Sequence, residues 1–242
     1  MMGIFTTKSR VDISKVNGNA LITNKGILDL LENAACMHSD LAGFGIKDIP
    51  INHLSWVQLN WKVQILRRLS YGEEVVINTW TRDTTKVTTF RDFEVLDSEN
   101  NQVIVATTKY TLINIDTFSI EKITDKVIEK YGPIEKSILP DYDFKKLREP
   151  ASHSNEYIYK TLRRDIDVNK HMHNSNYLDL AYEALPEDVY ENNSFDNIEI
   201  MYKSSIRLGD TSKCLYSYEN GKHVVTIKSL DDKTLHCIIN LW

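Results

Sequence analysis

Between Arg163 and Pro186 the chain reads RRDIDVNKHMHNSNYLDLAYEALP, with Asp167, Asn169 and His171 at alternate positions ahead of an amphipathic stretch. A carboxylate, a neutral amide and an imidazole titrating near neutrality are the groups that hold and activate a water molecule. If the segment is extended, alternate residues share one side. A helix beginning at about His173 would add backbone N–H groups and the positive end of its dipole, both suited to a developing oxyanion. That set favours hydrolysis of an ester or thioester by water, without a covalent intermediate. The competing account is a polar turn leading into a helix, because Asp and Asn build turns and caps for purely local reasons.

Other chemistries fit the same residues less well. Asp165, Asp167 and Asn169 stand at the first, third and fifth places of a calcium loop, but the required glycine is Lys170 and the required glutamate is Asn176. His171 and His173 form a pair without the HExxH or cysteine partner that would complete a metal site. No metal and no cofactor is expected. There is no GxSxG nucleophile elbow, and GFGIKD lacks the third glycine of a nucleotide loop and follows a helix.

The elements that must position these residues come in two series. In LITNKGILDLLENAACMHSDLAGFG, Ile27, Leu31, Ala34, His38 and Leu41 form a helical stripe, stopped by Gly43 and Gly45. SWVQLNWKVQIL then alternates, which predicts that Val57, Leu59, Trp61, Val63 and Ile65 point one way. Three further strands follow, in EEVVINTWTR, KVTTFRDFEVLD and QVIVATTKYTLINID. Residues 131–150 hold three of the five prolines and no sustained period, as in a linker. The pattern restarts with a strand in EYIYKTLRR and a helix bearing Leu178, Ala181, Tyr182 and Leu185 on one face. Asn174 or Ser175 is its expected N-cap, and Pro186 lies past its end. More strands follow, two of them joined at Asn220-Gly221, a strong hairpin signal. VQILRRLSYGEEVVI and YKSSIRLGDTSKCLY share a strand, a Gly-Glu or Gly-Asp turn and a second strand, so the halves read as a diverged repeat. The expected fold class is α+β: two antiparallel sheets, each packed on one central helix.

Composition sets outer bounds. The 242 residues carry a formal charge of −5, which argues against a nucleic-acid binder. Cys36, Cys214 and Cys237 are widely spaced, as in a reducing compartment. With no apolar segment in MMGIFTTKSRVDISKV and no run near the ~20 residues of a membrane span, a cytoplasmic protein is expected.

Four segments resemble the acyl-acyl carrier protein thioesterase family in order and spacing. LLENAACMHSDLAGFG is similar to its first central helix, SWVQLNWKVQILRRLSYGEEVVINTW to the following strands, FRDFEVLDSENNQVIVATTKYTLIN to the next hairpin, and DIDVNKHMHNSNYLDLAYE to its Asp-x-Asn-x-His-x-Asn-Asn segment. The resemblance implies a tandem, double hotdog fold forming one pseudo-dimeric unit. Its N-terminal repeat (1–130) would shape the acyl-chain pocket and its C-terminal repeat (151–242) would carry the catalytic segment. It implies that Asn169 and His171 polarise water and the thioester carbonyl while Asp167 positions them. It also marks a departure, since Ser205 stands where the family usually places a Glu. Leu31, Ala35, Trp56, Leu59 and Trp61 are candidates for the acyl slot, with core packing as the alternative. His38 reads as a core histidine, and Trp80 and Arg91-Asp92 as structural. The implied partner is acyl carrier protein, a strongly acidic protein that Arg163, Arg164 and Lys170, with Lys160, could dock; Arg67 and Arg68 hold the matching place in the first repeat. A coenzyme A thioesterase, a non-catalytic acyl-binding module and, more weakly, a hotdog dehydratase are the alternatives. Tandem repeats can satisfy each other's pairing, so either a monomer or a homodimer is compatible.

Overall fold

The computed structural model describes residues 3–242. The chain splits into two compact units, Met1–Asp143 and Phe144–Trp242. Unit 1 contains β1 (Phe5–Arg10), α1 (Asn24–Ala42), α2 (Ile49–Asn52), β2 (Leu54–Ile65), β3 (Glu74–Arg82), β4 (Thr88–Leu96), β5 (Gln102–Asn114) and α3 (Asp125–Tyr131). Its strands run in the order β1-β3-β4-β5-β2, each pair antiparallel. Unit 2 contains β6 (Asn155–Lys160), α4 (Asn176–Glu183), α5 (Glu187–Asn192), β7 (Asn197–Tyr202), β8 (Thr211–Glu219), β9 (Lys222–Ser229) and β10 (Leu235–Leu241). Here the order is β6-β8-β9-β10-β7, again antiparallel throughout. Numbered within each unit, both sheets read first, third, fourth, fifth, second. The α+β expectation holds, and the repeat is one of topology as well as of sequence.

The helices are specified locally. Thr23 caps α1 by accepting from the Gly26 amide (2.9 Å), and Gly43 closes it in the left-handed conformation, its N–H reaching the Ser39 and Asp40 carbonyls. Ile27, Leu31, Ala34 and His38 are fully or almost fully buried, as the stripe predicts. Leu41 is not: it is 62% exposed, and Ala42 takes the inward place. Gly26 is needed for packing, since a Cβ there would lie 2.6 Å from the Lys15 carbonyl. In unit 2, Leu178, Ala181 and Leu185 are buried as expected. The helix itself starts at Asn176 with Ser175, one of the two expected residues, at its N-cap, and so begins three residues after His173.

β2 carries a correction. Its register against β5 skips Leu59, a β-bulge that reverses the alternation. Trp56 and Gln58 therefore share the face of Trp61 and Val63, while Val57 and Leu59 do not continue that stripe. β1 lies ahead of the first element that the sequence pattern marks. It is an edge strand whose burial alternates, and β6 is its counterpart in unit 2. At the Asn220-Gly221 turn both residues have positive φ (53° and 76°), the two-residue hairpin geometry expected there. Residues 132–150 form no helix or strand, and the division between the units falls among them. Among the described residues no helix is long and apolar enough to cross a membrane.

Candidate active site

The segment holding Asp167, Asn169 and His171 is a tight loop and not an extended strand. The Lys170 amide closes a turn onto the Asp167 carbonyl (3.1 Å), and Lys170 adopts a positive φ of 63°. Alternate positions therefore do not share a side by pleat. What gathers the residues is the Asp167 carboxylate. Its Oδ1 accepts from the amides of Asn169 (2.8 Å) and His171 (3.3 Å), and its Oδ2 lies 3.5 Å from Asn169 Nδ2. The loop is anchored behind by the Met172 amide on the Ile206 carbonyl and the His173 amide on the Asp165 carbonyl, both 2.8 Å. A bridge joins His171 to Arg207.

The anchoring strand turns back at Arg207–Asp210. There the Asp210 carboxylate accepts from the Arg207 amide (2.8 Å) and Gly209 sits at φ 86°. Tyr177, on the first turn of α4, accepts from the Ile206 amide at 3.2 Å, and the Tyr202 hydroxyl donates to the Asn174 carbonyl at 3.0 Å. Burial pushes the Tyr177 phenol up, so it stays protonated. These contacts fix the helix start and the strand against the loop.

Within this frame the side chains differ in freedom. Asp167 is half-buried and committed to the loop, and Asn169 is exposed. The half-buried His171 ring makes no hydrogen bond or ion pair among the described residues, so both nitrogens are open to water or substrate. His173 does not pair with it: His173 Nδ1 and Ser175 Oγ share a hydrogen bond (2.9 Å). That contact also explains why Ser175, the N-cap residue, makes no side-chain bond to the helix backbone.

Ser205 is exposed, just before Ile206, and its hydroxyl has no partner among the described residues. It supplies no carboxylate. Arg163, Arg164, Lys160 and Lys170 are all exposed. Their unit 1 counterparts are engaged: Arg67 pairs with Glu73 (2.9 Å) and Asp97 (3.1 Å), while Arg68 donates to the Ile22 carbonyl (3.0 Å) and Asn24 Oδ1 (2.8 Å). Among the acyl-slot candidates, Leu31 and Trp61 are fully buried and Ala35 nearly so. Leu59 is the half-buried bulge residue. Trp56 packs on a cluster of Ala42, Leu112, Ile123, Val127 and Tyr131, donating its indole N–H to the Tyr131 hydroxyl (2.8 Å).

Residues 3–131 match the model of the acyl-ACP thioesterase N-terminal domain, and residues 148–240 that of the C-terminal domain. The chain belongs to the acyl-ACP thioesterase family. Its relatives include oleoyl-acyl carrier protein thioesterase 2 of Arabidopsis thaliana, 26% identical over 88% of this chain and 62% of that protein. Another is the dodecanoyl-[acyl-carrier-protein] hydrolase of Umbellularia californica, 25% identical over 74% of this chain and 49% of that protein. Both are chloroplastic, and the chain spans about three fifths or less of their length. The acyl-ACP thioesterase structure from Bacteroides thetaiotaomicron superposes with a TM-score of 0.87 at 19% identity, covering 98% of this chain and 96% of that one. The 12:0-ACP thioesterase of Umbellularia californica gives 0.84 at 18%, with 98% and 96% covered. The family's double hotdog fold is therefore the fold of this chain.

Proposed function

We propose that this family member hydrolyses the thioester of an acyl group carried on acyl carrier protein, releasing the free fatty acid. Unit 1 takes the acyl chain, in the slot for which Leu31, Ala35, Trp56 and Leu59 are candidates, and the Asp167–His171 loop of unit 2 carries out the attack. One observation supports this most: the loop holds an imidazole with no internal partner beside a primary amide, both on a carboxylate-braced frame. The imidazole takes a proton from water as its oxygen adds to the thioester carbonyl. The Asn169 amide donates to the carbonyl oxygen as charge develops there. Collapse of the adduct breaks the carbon–sulfur bond, and the imidazolium returns its proton to the departing sulfur. Asp167 holds the two groups in register. With serine at position 205, His171 is the base that this loop offers.

The relatives' names, oleoyl-acyl carrier protein thioesterase and dodecanoyl-[acyl-carrier-protein] hydrolase, favour the acyl carrier protein as carrier. So does the exposed basic set beside the loop, Lys160, Arg163, Arg164 and Lys170, which suits a strongly acidic protein. The test compares kcat/KM for one acyl chain on acyl carrier protein and on coenzyme A. Higher kcat/KM on the protein carrier is expected, and equal values would favour a coenzyme A thioesterase. Reversing Arg163 and Arg164 to Glu should raise KM for the protein-borne substrate alone; an equal loss on a small thioester would remove the docking role. Binding of acyl chains without turnover would instead mark a non-catalytic acyl-binding module, the reading that the serine at position 205 favours.

A further inference from the structure

The interior of unit 1 holds a buried cation without a carboxylate. Arg91 projects from β4 and is 4% exposed. Its Nη1 donates to His38 Nδ1 (2.9 Å) and to Thr79 Oγ1 (3.2 Å), and its guanidinium lies over the Tyr131 ring, 5.6 Å from the centroid. No acid pairs with it among the described residues, whereas its neighbour Asp92 is paired with Arg82 (2.9 Å). The Nε and Nη2 hydrogens of Arg91 find no acceptor among those residues. His38 compounds this. Because Nδ1 accepts from Arg91, its proton resides on Nε2, and Nε2 is buried with no partner. Burial, then the Arg91 charge, hold the ring neutral by lowering its pKa to about 3.

The surrounding polar groups do not answer these donors. The Tyr131 hydroxyl accepts from Trp56 and gives its own proton to Ser39 Oγ (3.2 Å), and Thr79 gives its proton to the Asp92 carbonyl (2.9 Å). A buried imidazole N–H without a partner is costly, and so is a guanidinium taken out of water with no acid beside it, unless an acceptor reaches them. His38 lies on the same stripe of α1 as Leu31 and Ala35, one turn further on. An apolar helix face thus ends in unmet donors.

We infer that this interior is a recognition site for an acyl chain bearing a hydrogen-bond-accepting oxygen (hydroxyl, keto or carboxylate) in its distal part, with Arg91 and His38 Nε2 as the donors. The inference rests on the reading of unit 1 as the acyl slot, and it names the substrate class that the slot selects. A purely hydrocarbon tail would leave the guanidinium unanswered; an oxygen there would meet it in a water-poor setting, where charge-assisted bonds are strongest.

The test uses the full chain and non-hydrolysable N-methyl amides of equal length: plain, ω-hydroxy and ω-carboxy. Calorimetry should show an oxygenated amide binding roughly ten- to hundredfold tighter than the plain one, the size of a hydrogen bond to a charged group. The tighter of the two oxygenated arms identifies the oxygen. Arg91→Met should erase the preference and Arg91→Lys should keep part of it. Should Arg91→Met not fold, the three affinities of the wild-type protein decide alone. Equal affinity for all three would overturn the inference and leave the donors to water. The thioesters of the same chains separate this result from the hydrolase reading. Hydrolysis with no preference and equal amide affinities would sink the inference alone, whereas a binding preference with no hydrolysis would sink the hydrolase and leave the site standing.

Discussion

The loop before α1 and the loop before α4 have one backbone and different side chains. Asn17 accepts from the amides of Asn19 (3.0 Å) and Leu21 (3.1 Å) in unit 1, as Asp167 accepts from those of Asn169 and His171 in unit 2. Ala20 and Lys170 share a positive φ, 59° and 63°. Ile22 reaches the Leu69 carbonyl as Met172 reaches that of Ile206, each at 2.8 Å. Bridges Leu21–Ser70 and His171–Arg207 correspond too. The frame therefore does not depend on chemistry, because unit 1 builds it with an amide and a leucine. Besides Val168 for Gly18, Lys170 for Ala20 and Met172 for Ile22, three replacements change the chemical groups of unit 2: Asp167 where unit 1 has Asn17, His171 for Leu21, and His173 for the helix-capping Thr23. The polar-turn account of the sequence thus describes the Asp167 carboxylate and the loop backbone, while the proposed chemistry concerns other atoms of the same segment, the His171 ring and the Asn169 amide.

If function resides in those replacements, reverting them should remove activity and spare the fold. His171→Leu installs the residue that unit 1 carries at that place. It should lower kcat for acyl carrier protein thioesters by about 10³ with an unchanged melting temperature. Asn169→Ala, losing one oxyanion donor, should cost about 10² in kcat with little effect on KM.

The buried histidine of unit 1 gives a contrast to the free ring of His171. His38 is held neutral, so the folded state resists a proton that the unfolded chain accepts below its ordinary pKa of 6.5. Stability from this source is full above 6.5 and lost as pH falls from there toward about 3. Denaturant titrations across that window should lose up to about 5 kcal/mol, and His38→Gln should flatten the slope. Asp167→Ala, which removes the acceptor of two loop amides, should destabilise by about 1–2 kcal/mol, while Asp167→Asn should be neutral in stability because an amide serves in unit 1. Leu21→His, the reverse graft, should leave stability within about 0.5 kcal/mol and add no measurable hydrolysis when His171→Leu is also present.

The repeat and the two helices were legible because each leaves a local mark, a Gly-Glu or Gly-Asp turn and a 3.6-residue stripe; the candidate site residues stood out as a cluster of unlike polar groups. The bulge at Leu59 was not, since skipping one residue leaves a stripe that still looks continuous. β1 was masked by its polar, edge-strand character, although its likeness to β6 was the available signal. The alternation of Asp167, Asn169 and His171 suggested a strand, and only the positive φ at Lys170, which no glycine announces, makes it a loop. Arg91 read as structural because a lone arginine in a strand does not show that no acid will meet it. Only tertiary packing does.

The most direct measurement is free-acid release from acyl carrier protein thioesters by the wild-type chain and by the Asp167→Asn/His171→Leu double variant, which carries the unit 1 residues at those two positions. The account predicts turnover by the first, and for the second the same melting temperature with hydrolysis reduced by more than about 10². A double variant that hydrolyses at the wild-type rate, or a wild-type chain that releases no acid, would contradict it.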